Sequence, residues 1–416
     1  MRILFALHQF FPNCYTGTER LVLNLSKQLQ RMGHFVKVLT YGISEKEGFK
    51  QDKSGFLIKE YEYQGIPVIS IRHPNTPAGI DFDIFEPDEI SVYQEEMLSR
   101  LVFKDKFDIV HVCHPMRVGT VIRVAKQKQI PVVLTLTDFW LICSKGIAIT
   151  NDGQLCINSD NGNLCLKKCY SNIYKDTLKR RASNLEEICN TAACLVSPTV
   201  FLKQVFEHNN CSANKKIIPF GVDYKHVQQN LRTYSANSRI TLGFLSTLTE
   251  HKGAHVLLNA FNKVKADNLR LKIYGDHFGN TDYYNMLKNI ARDNRRIEFF
   301  GAYKYEDMAK IFNEIDVAVM PSVWWENSPL VLLRTLAHNV PVIVSKLGGL
   351  TEIVQDGRDG FHFEAGNAQD LAKVLQNIAN NPAILNEIKN KMVLPPRIEE
   401  EAFEYEKMYE ALIAKR

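Results

Sequence analysis

No run of about 18 consecutive apolar residues occurs in the 416-residue chain, so no bilayer-spanning helix is expected. An excess of one charge is also missing. Lys and Arg number 51 against 46 Asp and Glu, a formal charge of +5. That balance excludes a strongly basic nucleic-acid protein and an acidic disordered chain. It leaves room for weak attraction to anionic membranes or phosphorylated ligands. The Gly-x-Gly-x-x-Gly fingerprint is absent from the first loop, Tyr15 to Glu19, so a nicotinamide cofactor is not expected. Cysteine is sparse and odd in number, at nine. The apolar opening, Met1 to His8, is too short for a secretory signal. A cytoplasmic, reducing setting with free thiols is therefore the default expectation. Cys14, Cys113, Cys189, Cys194 and Cys211 are expected to pack as small apolar residues.

What is present is ordinary globular material, 45% apolar and 23% charged, with length enough for two or three domains. Arg2 to Leu7 reads as a buried strand. Leu21, Val22, Leu25 and Leu29 recur at helical spacing, and Val36 to Thr40 reads as a second strand. Strand, helix, strand implies a parallel sheet. The rhythm resumes at Ile109 and runs to about residue 222, broken by a Gly-, Asn- and Cys-rich insertion at 143–170. A polar stretch, Lys225 to Ser238, marks a boundary. A second series of strands and helices fills 239–395. Residues 396–416 form a closing helix expected to pack back on the first domain. The fold class is α/β, with two doubly wound Rossmann-like domains, 1–222 and 239–395, facing across a cleft where ligands bind.

Four segments carry chemistry. Pro321 to Val331 joins a strand to a helix. Asn327 or Ser328 can cap that helix, with Pro329 in its first turn and Glu326 beside it. Such an end either binds phosphate or sugar hydroxyls or is a plain helix start. Trp324 and Trp325 flank Glu326, either as a stacking surface for a sugar or as a buried wall. Gly348 and Gly349 form a turn one strand later that lets a ligand approach the backbone, or an ordinary tight turn. Lys252 follows the first strand of the second domain, where a cation can meet a departing phosphate or simply be solvated. Gly17 and Thr18 lie in the first strand–helix turn of the first domain.

In this order the segments resemble glycosyltransferase family 4, the retaining nucleotide-sugar transferases of GT-B fold. The match runs from residue 1 to about 380. It is carried by Lys252–Gly253, Glu326 to Leu330, Pro341–Val342, Gly348-Gly349-x-x-Glu352 and Asp356-Gly-x-x-Gly360. Thr135 to Trp140 with Cys143 resembles a branch common in surface-polysaccharide assembly. The resemblance implies that Glu326 contacts the donor sugar and Lys252 the donor diphosphate. Asn327, Ser328, Pro329, Leu330, Gly348 and Gly349 would cradle the donor. Gly17, Thr18 and Asp138 would lie on the phosphate and acceptor side. It implies no metal for catalysis, a nucleotide-sugar donor, a glycan or lipid-linked acceptor, and peripheral contact at a membrane's inner face. No nucleic-acid partner is implied.

Three positions depart from that pattern. The second acid of the family's Glu-x7-Glu motif is Arg334, whose guanidinium has only donors and cannot accept from a ribose. It could pair with phosphate instead. Thr247 stands where a cation usually helps hold the diphosphate. Thr137 replaces the acceptor-side histidine, and His114 could substitute or be a satisfied loop histidine. These changes keep open a catalytically impaired, partner-binding relative. A nucleotide-sugar epimerase also shares the two-domain build, although the Glu326-Asn-Ser-Pro context disfavours it. Cys143, Cys156, Cys165 and Cys169 are separated by 12, 8 and 3 residues. They form a structural zinc set or remain thiols. The basic clusters Lys179–Arg181, Lys215–Lys216 and Arg292–Arg296 are expected to be solvated faces.

Overall fold

The computed structural model describes residues 1–42, 47–75, 84–86, 88–171, 174–209, 211 and 213–415. It divides into two units, Met1–Phe220 with Ile398–Arg416, and Gly221–Arg397. The first contains β1 (Arg2–Leu7), β2 (Phe35–Tyr41), β3 (Lys50–Gln51), β4 (Leu57–Tyr63), β5 (Ile66–Arg72), β6 (Ile109–Val112), β7 (Val132–Thr135), β8 (Cys194–Ser197) and β9 (Lys215–Ile217). The described strands form one sheet in the order β3-β4-β5-β2-β1-β6-β7-β8-β9. Pairing is parallel except at β3-β4 and β4-β5, which are antiparallel. The order reverses between β1 and β6, whose carboxyl ends therefore form a switch point.

The second unit contains β10 (Ile240–Leu245), β11 (Leu269–Tyr274), β12 (Ile297–Gly301), β13 (Val317–Met320), β14 (Val342–Ser345) and β15 (Gly360–Phe363). They are all parallel, in the order β12-β11-β10-β13-β14-β15. Here the switch point lies between β10 and β13. The central strands β13 and β14 are near-continuous apolar runs, as in a parallel sheet covered on both faces, whereas β12 at the edge is largely exposed. Leu242, Ile273, Val319 and Ile343 are almost wholly buried.

The polar stretch at 225–238 is not a free tether. It belongs to the second unit, where Asn230 Nδ2 donates to the carbonyls of Phe312 and Ile315, and Arg232 pairs with Asp316. The final helix, Ile398–Ile413, belongs to the first unit, and its Tyr405 and Tyr409 are fully buried there. His111 sits inside β6. It bonds to Tyr409 Oη and Thr135 Oγ1 at 2.6 Å each, which makes it a core residue. Cys189 and Cys211 are joined by a disulfide, against the expectation of free packing thiols. Their Cα atoms lie 5.6 Å apart, within bridging range, although 22 residues separate them in sequence. Two basic clusters are also less solvated than expected. Arg181 is buried over the Trp140 ring, and Lys216 sits in β9 paired with Glu404.

Burial pushes the His111 imidazole down to about 3. Unfolded, it titrates near 6.5. The unfolded state therefore binds more protons between these values. The resulting stability is complete above about pH 6.5 and is lost as pH falls toward about 3. Urea midpoints should drop between pH 7.5 and pH 5, and His111→Gln should flatten part of that slope. An unchanged slope in the variant would contradict a buried neutral His111.

Candidate active site

Two clusters occupy the two switch points. In the second unit, β10 runs into a short turn, Glu250–Lys252, and β13 into the loop beginning at Pro321. The Val323 N–H donates to the His251 carbonyl at 2.9 Å, tying the two loops together. Lys252 Nζ lies 2.8 Å from Glu326 Oε1. Ser322 Oγ donates to the same oxygen at 2.8 Å and Trp324 Nε1 at 2.9 Å. All three bonds fall on Oε1, so Oε2 keeps its lone pairs. Lys252 Nζ also sits 4.5 Å from the centre of the Trp324 ring, a cation–π contact.

Burial alone would raise the Glu326 carboxyl, which is only 7% exposed. Lys252 and the hydrogen bonds from Lys252, Ser322 and Trp324 outweigh it and hold the group below the usual carboxylate range. The pair is thus charged and preorganised. His251 packs edge-on to Trp324 at 4.8 Å. Burial and Lys252 push it down to about 4, so it adds no second cation. The spacing pattern did not single out Ser322 or His251, nor the hydrogen bond that Trp324 donates to Glu326. A cluster of polar residues within five positions of Glu326 was the only available signal.

Two glycines let the loops meet. Gly253 has φ +73°, and a Cβ there would stand 1.8 Å from the Pro321 carbonyl oxygen. A Cβ at Gly349 would stand 1.9 Å from the Asn327 carbonyl oxygen, and the Gly349 N–H donates to the Glu326 carbonyl at 2.8 Å. The Gly348–Gly349 turn and the Glu326 loop are therefore in direct contact.

The helix after Glu326 is Leu330–Ala337. Neither Asn327 nor Ser328 caps it. Pro329 is the N-cap, at φ −64° and ψ 122°, with no side-chain bond to the first turn. Its fixed φ suits an extended cap, and its ring offers no acceptor. The first-turn N–H groups are thus not covered by a cap side chain, which suits an anionic ligand. Arg334 is buried in this helix, donates to Tyr305 Oη, and lies 4.0 Å over the Tyr305 ring. Thr247 is half-buried after β10, its hydroxyl 3.4 Å from Thr249 Oγ1.

In the first unit, His8 follows β1, His114 follows β6 and Asp138 follows β7. The two imidazoles pack in a tilted arrangement, centroids 3.9 Å apart and planes at 37°. His114 Nε2 lies 3.5 Å from Asp138 Oδ2, and its ring packs on Trp140 at 4.8 Å. His8 Nε2 lies 3.9 Å from Oε1 of fully buried Glu19. Burial, then His114, hold His8 well below its ordinary range, so it stays neutral. His8 and Glu19 escaped the sequence reading because only sheet topology brings them to His114. Thr137 Oγ1 donates to the Cys113 carbonyl at 3.0 Å, tying β6 to β7. Gly17 opens the 15-residue helix Gly17–Arg31, exposed, with nothing within 4 Å of a Cβ there. Thr18 follows it, half-buried.

Cys143, Cys156, Cys165 and Cys169 line one small cavity in the insertion. All four are free thiols. Among the described residues, no group of three or more His, Cys, Asp or Glu is placed so that it could hold a metal ion without moving.

Residues 239–381 match the family model described as glycosyl transferases group 1, and residues 15–226 match glycosyltransferase family 4. An uncharacterized glycosyltransferase of Methanocaldococcus jannaschii is 24% identical over 406 residues, covering 94% of this chain and 93% of the relative. The lipopolysaccharide 1,2-N-acetylglucosaminetransferase of Salmonella typhimurium is 26% identical over 198 residues, covering 44% of this chain and 52% of that enzyme. HepE from Anabaena, solved in complex with UDP and glucose, superposes with a TM-score of 0.68. It is 16% identical and covers 99% of this chain and 100% of its own, a likeness of fold. The two Rossmann-like units are those of the GT-B fold. With more than half of its length under one family model, the chain belongs to glycosyltransferase family 4.

Proposed function

We propose that this glycosyltransferase moves a sugar, with retention, from a nucleotide-sugar donor to a growing glycan or lipid-linked acceptor in surface-polysaccharide assembly. The observation that carries the reading is the Lys252–Glu326 pair, 2.8 Å apart at the switch point of the second unit. Lys252 would neutralise charge growing on the departing diphosphate, with the uncapped start of Leu330–Ala337 beside it. Glu326 Oε2 would accept a hydroxyl of the donor sugar. A buried, charged pair needs no reorganisation as the bond breaks, which is where electrostatic catalysis gains most. His114, beside Asp138 and packed against neutral His8, would be the acceptor-side group of the first unit. Support for the donor class comes from the UDP and glucose held by HepE, and for the acceptor class from the lipopolysaccharide enzyme. No helix among the described residues is long and apolar enough to cross a membrane. We place the reaction at the cytoplasmic face of a membrane, with only peripheral contact.

A screen of nucleotide sugars with lipid-linked acceptors, read by product mass and anomeric NMR, tests this reading. One donor should give a product that keeps the donor's anomeric configuration. Inverted product would overturn retention, and an isomerised donor without acceptor would indicate an epimerase. Arg334 favours one other reading. Buried against Tyr305, it cannot accept the ribose hydroxyls that an acid would. A chain that binds no nucleotide would be a partner protein rather than an enzyme.

Trp324→Phe keeps the ring under Lys252 but deletes one donor to Glu326. About a tenfold lower kcat/KM is expected, the value of one hydrogen bond to a charged group. Trp324→Ala should lose more, since the cation–π contact goes too. Equal losses in steady-state kinetics would show that the ring contributes nothing.

A further inference from the structure

We propose that the insertion at 143–170 holds a structural zinc ion on Cys143, Cys156, Cys165 and Cys169. The four thiols come from three stretches of the insertion, Cys165 and Cys169 one helical turn apart, yet they line a single cavity of about 20 Å³. That is room for one small ion or one water. Its other walls mix Ile142, Ile149, Ile157 and Leu164 with small polar side chains, and among the described residues no carboxylate or imidazole lines it. An all-thiol donor set selects zinc over magnesium or calcium. The four side chains do not yet surround a common point, so the ion would have to draw them together.

The insertion needs such a staple. Its helix, Asn163–Lys168, buries none of its residues, and 151–155 are exposed. The contacts across it are polar, from Asn151 to the Lys168 and Cys169 carbonyls and from Lys168 to Asp152. Segments with so little core are usually held by disulfides or metal. The structure joins Cys189 to Cys211 but leaves these four as thiols, which favours metal over bridges. Four thiolates on Zn²⁺ carry a net charge of about −2. Lys145, Lys167 and Lys168 lie within the insertion, and Arg181 shares an adjacent cavity with Cys165. Each thiol that ligates gives its proton to solvent.

The test is metal analysis of the full chain, purified under reducing conditions without added zinc. About one zinc per chain is expected, released by about four equivalents of an organomercurial. Cobalt substitution should give the intense thiolate charge-transfer bands of a tetrahedral site. Cys156→Ser and Cys169→Ser should each lose the metal. If these variants fail to fold, the zinc content and cobalt spectrum of the unaltered chain decide. No zinc with four reactive thiols, two further disulfides, or zinc retained in both variants would each overturn the site.

Discussion

Lys252→Ala is expected to lower kcat/KM for sugar transfer by about 10²–10³-fold, the usual cost of removing one preorganised charge-stabilising group. The amine is held by the Glu326 carboxylate and the Trp324 ring. Deleting it leaves Glu326 buried without its cation, although Ser322 and Trp324 still donate. A stability loss of about 1–3 kcal/mol should follow. Glu326→Gln removes the charge and keeps the shape. Adding it to Lys252→Ala should restore most of the stability and none of the activity. That split separates a catalytic pair from a structural ion pair. A double variant that regained turnover would place the chemistry elsewhere.

Gly253→Ala is the second large effect. The residue sits at φ +73°, and its new Cβ would stand 1.8 Å from the Pro321 carbonyl oxygen. A left-handed non-glycine residue costs about 1–2 kcal/mol, and the clash with fixed backbone adds about 1–3 more. The loop from Pro321 must then move away from Lys252, opening the pair that the mechanism uses. Chemical unfolding should show the second unit weakened by at least about 2 kcal/mol, with donor binding lost in parallel. Gly17→Ala is the control. It has helical geometry and open space around its Cβ, so stability should change by less than about 1 kcal/mol. A Gly253→Ala protein as stable as the parent would show that the two loops need not touch.

Both units were legible where strands are fully buried. Ile109–Val112 is apolar but for His111 and Val317–Met320 is apolar throughout, both almost wholly buried, and the structure has strands over those residues. The hairpin around 50–72 was not, since β4 alternates exposed and half-buried residues with charges and has beyond it only the two-residue edge strand β3. The long helix Lys175–Thr191 also escaped, because its hydrophobic stripe is thin and interrupted by Arg and Glu. In the candidate site, Lys252 and Glu326 were flagged by their places after β10 and β13, with roles implied only by the family resemblance. Their contact was not, because 74 residues separate them and only the reversal of strand order between β10 and β13 brings their loops together. The same holds for His8 and His114, joined across β1 and β6. The Cys189–Cys211 disulfide lay beyond spacing arguments, since pairing depends on where a helix end and a loop meet.

Calorimetric titration with a panel of nucleoside diphosphates and nucleotide sugars, run on the parent chain and on Lys252→Ala, tests the central claim most directly. The account predicts that the parent binds one nucleotide family and that Lys252→Ala weakens it by about 100-fold, as loss of a charge-assisted contact to a diphosphate should. Equal affinity in both proteins, or no binding of any nucleotide by the parent, would contradict it.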